Sequence, residues 1–225
     1  MMTKRIFTAL VTILLTTSAF TTSQTALARG NGGGGGGINP LSEVEIADLY
    51  FMREEEKLAR DSYLVLGAEY GLAIFDNISE SEQRHMDALK KLIDKYGLTD
   101  PVKDESVIGG FVDPELQELF EFLMIWGHQS LKDSLYVGAA IEETDIEDIW
   151  HAIERADHDD IIDTYESLLC GSRNHLRAFV GQIESRGDVY EPIILSDAEL
   201  AAIVDTPMER DCGGGGRNQG GKRIR

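Results

Sequence analysis

Apolar residues recur at alternating steps of three and four along four stretches of the chain, the spacing of one face of an α-helix. In the first stretch Leu49, Met52, Ala59, Tyr63 and Leu66 fall on one stripe. The second carries Ile78, Leu89, Leu92 and Tyr96, the third Leu135, Gly138, Ile149, Ala152 and Ala156, and the fourth Ile161, Tyr165, Leu168 and Phe179. The first helix opens at Ser42, where Ser42 and Glu45 form a capping box, and ends near Gly71. The second opens at Asp76 or Ser79 and stops at Gly97. Asp113-Pro114 is an N-cap with a first-turn proline and starts a helical region that runs to about Ala156, with a break expected at Gly127. The fourth helix runs from Asp157–Asp159 to about Glu184. A second capping box, Ser196 to Glu199, starts a short helix at Ser196–Val204. The pattern predicts an all-α chain: an antiparallel four-helix bundle with a buried seam and a short C-terminal helix on its outside.

Polar residues interrupt every stripe near its middle. Glu56 does so in the first helix, Glu82 and His85 in the second, Glu142 and Asp145 in the third, and Ser172 and His175 in the fourth. A buried carboxylate is costly unless it is paired or metal-bound. Carboxylates and imidazoles converging from four helices suit a pair of hard or borderline metal ions, and the three-residue step from Glu82 to His85 puts both on one face. Blander readings exist for each position. Glu56 belongs to the run Glu54-Glu55-Glu56, which a small change of helix phase would turn to solvent. Glu82 would be the third residue of a cap if the helix began at Ser79. Glu142 competes with Glu143 for the inward position, and Asp145 reads equally as a second ligand or a surface acid. Tyr63 and Tyr165 lie on the seam as ligand partners or plain core. His128, His151 and His158 fall off the pattern and read as surface or supporting residues.

Charge adds the compartment and excludes some partners. The 225 residues carry 40 acidic and 21 basic side chains, a net charge of −19. Such a chain has no broad basic surface for nucleic acid or anionic lipid. Lys4 and Arg5 precede an uncharged apolar run, and Ala26-Leu27-Ala28 follows it. That layout predicts a cleavable signal peptide over residues 1–28, a secreted or periplasmic product and no membrane anchor after cleavage. Its removal takes the charge to near −21. Glycine-rich segments follow at 29–40 and 208–225 and read as linkers. They leave a domain at 41–186 and an appendage at 187–207. Cys170 and Cys212 would be free to pair after export, pinning the tail to the fourth helix.

EEEKLARDSY (54–63), SEQRHMDAL (81–89), GAAIEETDIEDI (138–149) and SRNHLRAF (172–179) resemble the four helices of the ferritin-like, rubrerythrin-related superfamily, and more closely an uncharacterised family of ferritin-like domains within it. Glu82-Gln83-Arg84-His85 carries the Glu-x-x-His motif of such bundles. The resemblance implies a non-haem site of one or two iron ions, with manganese or zinc as alternatives, for oxygen or peroxide chemistry. It implies Glu56, Glu82, His85, Glu142, Asp145 and His175 as ligands. Ser172 departs from the motif: a carboxylate belongs three residues before the histidine. Ser172 would leave room there for water or peroxide, or simply allow close packing. The expected partners are metal ions with oxygen or peroxide, and a homodimer is compatible with the bundle. Two further classes stay open: a non-catalytic module for a partner at the cell exterior, and a metal-sequestering protein.

Overall fold

A computed structural model describes residues 40–210 and Cys212. The predicted leader, nearly all of the first linker and most of the glycine-rich tail lie outside these residues. Among the described residues there are six helices and no strands. They are α1 (Glu43–Tyr70), α2 (Ala73–Lys95), α3 (Pro114–Gly127), α4 (Leu131–Arg155), α5 (Asp159–Glu184) and α6 (Asp197–Val204). The four long helices pack as a helical bundle: α1 lies against α2 and α4, and α5 against α4 and α2. The third helix packs on α1 and α4, and α6 on α5. No helix among the described residues is long and apolar enough to cross a membrane.

Local chemistry sets the ends. Ser42 Oγ accepts from Glu45 N at 3.2 Å, and Glu45 Oε2 accepts from Ser42 N at 2.9 Å, so both halves of the predicted capping box are present. Glu45 does more: its Oε1 accepts from the backbone N–H groups of Asp157 and His158 at 2.9 and 3.1 Å, which ties the start of α5 to the start of α1. Gly71 ends α1 in the left-handed region, at φ 64°, where a side chain would be strained. Only Gly71 and Leu72 then separate α1 from α2.

The second helix therefore begins at Ala73, earlier than the Asp76 or Ser79 expected from sequence. Leu72 is its N-cap and makes no side-chain cap bond, so the tight hairpin fixes the start rather than a capping residue. Ser79 sits two turns inside, its hydroxyl bonded to Asp76 O. The capping reading of Glu82 thereby falls. The break at Gly127 is as expected, and Ser130 caps α4 by accepting from Asp133 N at 3.0 Å.

Periodicity misjudges the back of α1. Every residue from Met52 to Tyr63 is buried, including Arg53, Glu54, Lys57, Arg60 and Asp61. The loop before α3 covers this face. Arg53 pairs with Asp100 at 3.1 Å, Lys57 and Arg60 donate to the carbonyls of Val107 and Glu105, and Asp61 accepts from Gly109 N. Glu54 accepts from the N–H groups of Val112 and Asp113 at 2.5 and 3.0 Å. The polar side is buried because its charges are matched with the loop, which satisfies what burial alone would penalise. So Glu54 and Glu55 are not the solvated run that the bland reading supposes.

The segment after α5 is anchored at two places. Glu143 of α4, fully buried, accepts from Tyr190 OH at 2.7 Å and from the N–H groups of Ile193, Ile194 and Leu195 at 2.8, 2.6 and 3.0 Å. Cys170 of α5 is disulfide-bonded to Cys212, and Glu209 pairs with Arg173 and Arg177. Glu143→Ala leaves three N–H groups without an acceptor, those of buried Ile193 and Leu195 and half-buried Ile194. It should destabilise the fold by roughly 3 kcal/mol, seen as a lower denaturant midpoint. Glu143→Gln, which keeps an acceptor, should lose clearly less.

Candidate metal centre

The polar interruptions of the four stripes meet inside the bundle. Glu56 comes from α1, Glu82 and His85 from α2, Glu142 and Asp145 from α4, and Ser172 and His175 from α5. All seven are buried. Two groups form: Glu56 with Glu82 and His85, and Glu82 with Glu142 and His175. Within each, the ligand atoms lie within 4.8 Å of one another, the spread that the donors of one ion need. Glu82 belongs to both.

The distances show how the shared carboxylate works. His85 Nδ1 lies 2.7 Å from Glu82 Oε2 and 3.1 Å from Glu56 Oε2. His175 Nδ1 lies 2.8 Å from Glu82 Oε1 and 3.4 Å from Glu142 Oε2. Each oxygen of Glu82 thus serves one histidine. Neither oxygen of Glu82 makes an aligned hydrogen bond, and nor do Glu56 Oε1, Asp145 Oδ1 or His175 Nδ1. Buried polar atoms are nearly always satisfied, so five orphaned donor atoms in one place need an explanation. Those of Glu56, Glu82 and His175 belong to residues whose ligand atoms gather within the span of one ion, as metal donors do. Four carboxylates against two imidazoles also leave a charge that two divalent ions would balance. The donor set, oxygen and imidazole without thiolate, fits first-row divalent ions.

Supporting contacts orient the donors. Tyr63 OH donates to Glu142 Oε1 at 2.5 Å, and the hydroxyl of Ser172 donates to Asp145 Oδ2. The rings of His85 and His175 stack with centroids 5.6 Å apart. Gly171 makes room for them: a Cβ there would stand 2.5 Å from His85 Nε2. The surroundings shift the titrations strongly. Burial, helped by neighbouring Glu82, pushes the Glu56 carboxyl up to about 8 against the opposing pull of His85. Burial opposes the charge of Glu82 too, but His175 and His85 outweigh it and hold that carboxyl well below its usual range. Burial works against protonation of His175, yet Glu82 and Glu142 raise it to about 10. Burial and then the charges of Glu56, Glu142 and Glu82 push Asp145 up.

Of the six predicted ligands, Glu56, Glu82, His85, Glu142 and His175 are brought into the two groups. Asp145 stands beside them, held by Ser172, and belongs to neither. Glu142 lies in the second group, whereas Glu143 faces the C-terminal segment. His128 and His151 are exposed, and His158 Nδ1 meets Glu45 Oε1 at 2.7 Å, away from the centre. Arg173 and Arg177, which flank His175 in sequence, turn to Glu209. Sequence reasoning missed Gly171, whose role depends on the close approach of two helices.

Fold and site together define an all-helical protein with paired glutamate and histidine groups in its core. Within that class, the chain belongs to the family described as "Uncharacterized protein domain (DUF2202)", which matches residues 45–207. It is similar to the uncharacterized protein MJ0754 of Methanocaldococcus jannaschii, 48% identical over 171 residues, or 76% of this chain and 92% of that one. The crystal structure of hypothetical protein MJ0754 from Methanococcus jannaschii superposes with a TM-score of 0.74 at 47% identity, covering 77% of this chain and 98% of that one.

Proposed function

We propose that the protein is an exported, ferritin-like antiparallel four-helix bundle that binds two divalent transition ions, iron foremost, and acts as a non-haem oxidoreductase. Manganese or zinc would fit the same donors. The observation that carries the reading is the sharing of Glu82 between two carboxylate–histidine groups while both its buried oxygens lack hydrogen bonds. Iron held there would supply redox chemistry toward oxygen or peroxide. Glu56 with His85 would hold one ion, Glu142 with His175 the other, and Glu82 both. Tyr63 fixes the free rotation of Glu142 and keeps a proton within reach of its oxygen. The disulfide supports an oxidising compartment, as the N-terminal leader pattern does.

Ser172 favours a second reading, metal sequestration without turnover, because no carboxylate stands where the bundle motif places one. The two separate cleanly. The leaderless chain, loaded anaerobically with ferrous salt and desalted, should retain about two equivalents of iron. It should then consume oxygen or hydrogen peroxide faster than free ferrous ion. Retention below one equivalent of iron, manganese and zinc alike sinks the metal centre. Two equivalents with no turnover sinks the oxidoreductase and leaves sequestration.

A further inference from the structure

Glu55 has no place in the two metal groups, yet it is only 4% exposed. Its Oε2 has no hydrogen-bond partner. On α4, which packs against α1, Asp148 and then Asp145 are the acids whose charges act most on it. Asp145 and Asp148 are three residues apart on α4 and so share a face. Asp145 is 3% exposed, bonded through Oδ2 to Ser172, with Oδ1 unpartnered. Its charge acts on Glu56, Glu142 and Glu82 at the centre. At the other end Asp148 is half-buried, and Glu147 and exposed His151 lie beside it. Arg155, the neighbouring cation, is engaged with Asp48 at 2.8 Å.

By exposure these acids run inward from half-buried Asp148 to Glu55 and Asp145, each of which keeps an unpartnered oxygen inside the bundle. None of the three forms an ion pair with Lys or Arg among the described residues. Adjacent buried carboxylates repel one another and resist desolvation, and a divalent cation relieves both costs. Carboxylate oxygens also replace the waters that such an ion sheds on leaving solvent. Three ligand atoms do not converge within 4.8 Å among these acids, as they do in the two metal groups. One or two ligands at a time suit passage better than storage.

We propose that Asp148, Glu55 and Asp145 form an uptake lane by which divalent transition cations cross the α1–α4 seam to the metal centre. The lane rests on the reading of that centre given above. The test is the rate at which metal-free protein takes up Co²⁺, followed by stopped-flow visible absorbance, with the number of ions bound at saturation measured separately. Asp148→Asn and Glu55→Gln should each slow uptake by about tenfold or more while the final number of ions stays that of the parent chain. Glu80→Gln, an equal loss of charge on exposed α2 surface, should load at the parent rate. Asp148 is half-exposed, so its variant should fold, which circular dichroism checks. Uptake by both variants at the parent rate overturns the lane and leaves the centre standing. So does an equal slowing in Glu80→Gln, which would mean only bulk charge, or a lower final stoichiometry, which would make these residues part of the centre. No uptake by the parent chain overturns the centre itself.

Discussion

Glu82→Ala should abolish binding at both metal positions, whereas Glu56→Ala and His175→Ala should each abolish one. The asymmetry follows from geometry alone. Glu82 is the common member of the two groups, and each of its oxygens faces a different histidine. Glu56 contributes to one group and His175 to the other. Elemental analysis after desalting should therefore give about two ions for the parent chain, about one for each single-group variant and none for Glu82→Ala. Thermal melting gives an independent measure. A ligand at one hundred times its Kd stabilises the folded state by about 2.7 kcal/mol per site. At roughly 2–4 °C per kcal/mol for a chain of this size, saturating Co²⁺ should raise the parent midpoint by about 10–20 °C, and the Glu82→Ala midpoint should not move. If Glu82→Ala retained one tightly held ion, the shared carboxylate would not be the hinge of the site. If Glu56→Ala lost both ions, the groups would not be separable as the distances imply.

How much of this was legible in the sequence depends on which side of a helix is considered. The seam was legible because inward positions repeat with the helical period. A polar residue within that repeat stands out: Glu56, Glu82, His85, Glu142 and His175 were all found as interruptions, and the structure brings them together. The outward side of α1 was not legible. Arg53, Glu54, Lys57, Arg60 and Asp61 carry the ordinary signature of a solvated face, and only the loop at 98–112 folding back over them reveals burial. That cover is a long-range contact with no local period. The same holds for Glu55, which is inward only because α4 lies against that side of α1. Gly171 shows the limit most sharply. A glycine inside a helix normally weakens it, and nothing near it in sequence tells that His85 occupies the space its side chain would take. The start of α2 was misplaced for a related reason: turn geometry at Gly71 fixes it, and no capping side chain marks it.

Without metal, the fold should lose stability as pH rises from about 5 to about 9, and added divalent ion should reverse this. The Glu56 carboxyl is pushed up to about 8 in the folded chain, mainly by burial, and returns to an ordinary value when unfolded. The folded state therefore holds a proton that the unfolded state has released, and stability falls with pH across that interval. By pH 8 this one group costs on the order of 4 kcal/mol. His175 works in the same direction. Burial opposes its proton, but Glu82 and Glu142 raise it to about 10. Its contribution is full below the unfolded value near 6.5 and is lost as pH rises through the folded one. Asp145 and Glu142, both raised chiefly by burial, add to the slope. Glu82 is shifted the opposite way, and its contribution is lost only as the solution becomes more acidic than an ordinary carboxylate pKa. Chelator-treated protein should thus show a falling denaturant midpoint from pH 5 through 8, and Glu56→Gln, which cannot ionise, should flatten much of that fall. Metal needs Glu56, Glu82, Glu142 and His175 deprotonated, so binding must release protons and its stabilisation must grow with pH. A midpoint that stayed level or rose between pH 5 and 8 in the presence of chelator would show that the buried carboxylates are not clustered as they stand here. A fall that metal did not reverse would detach the cluster from metal binding.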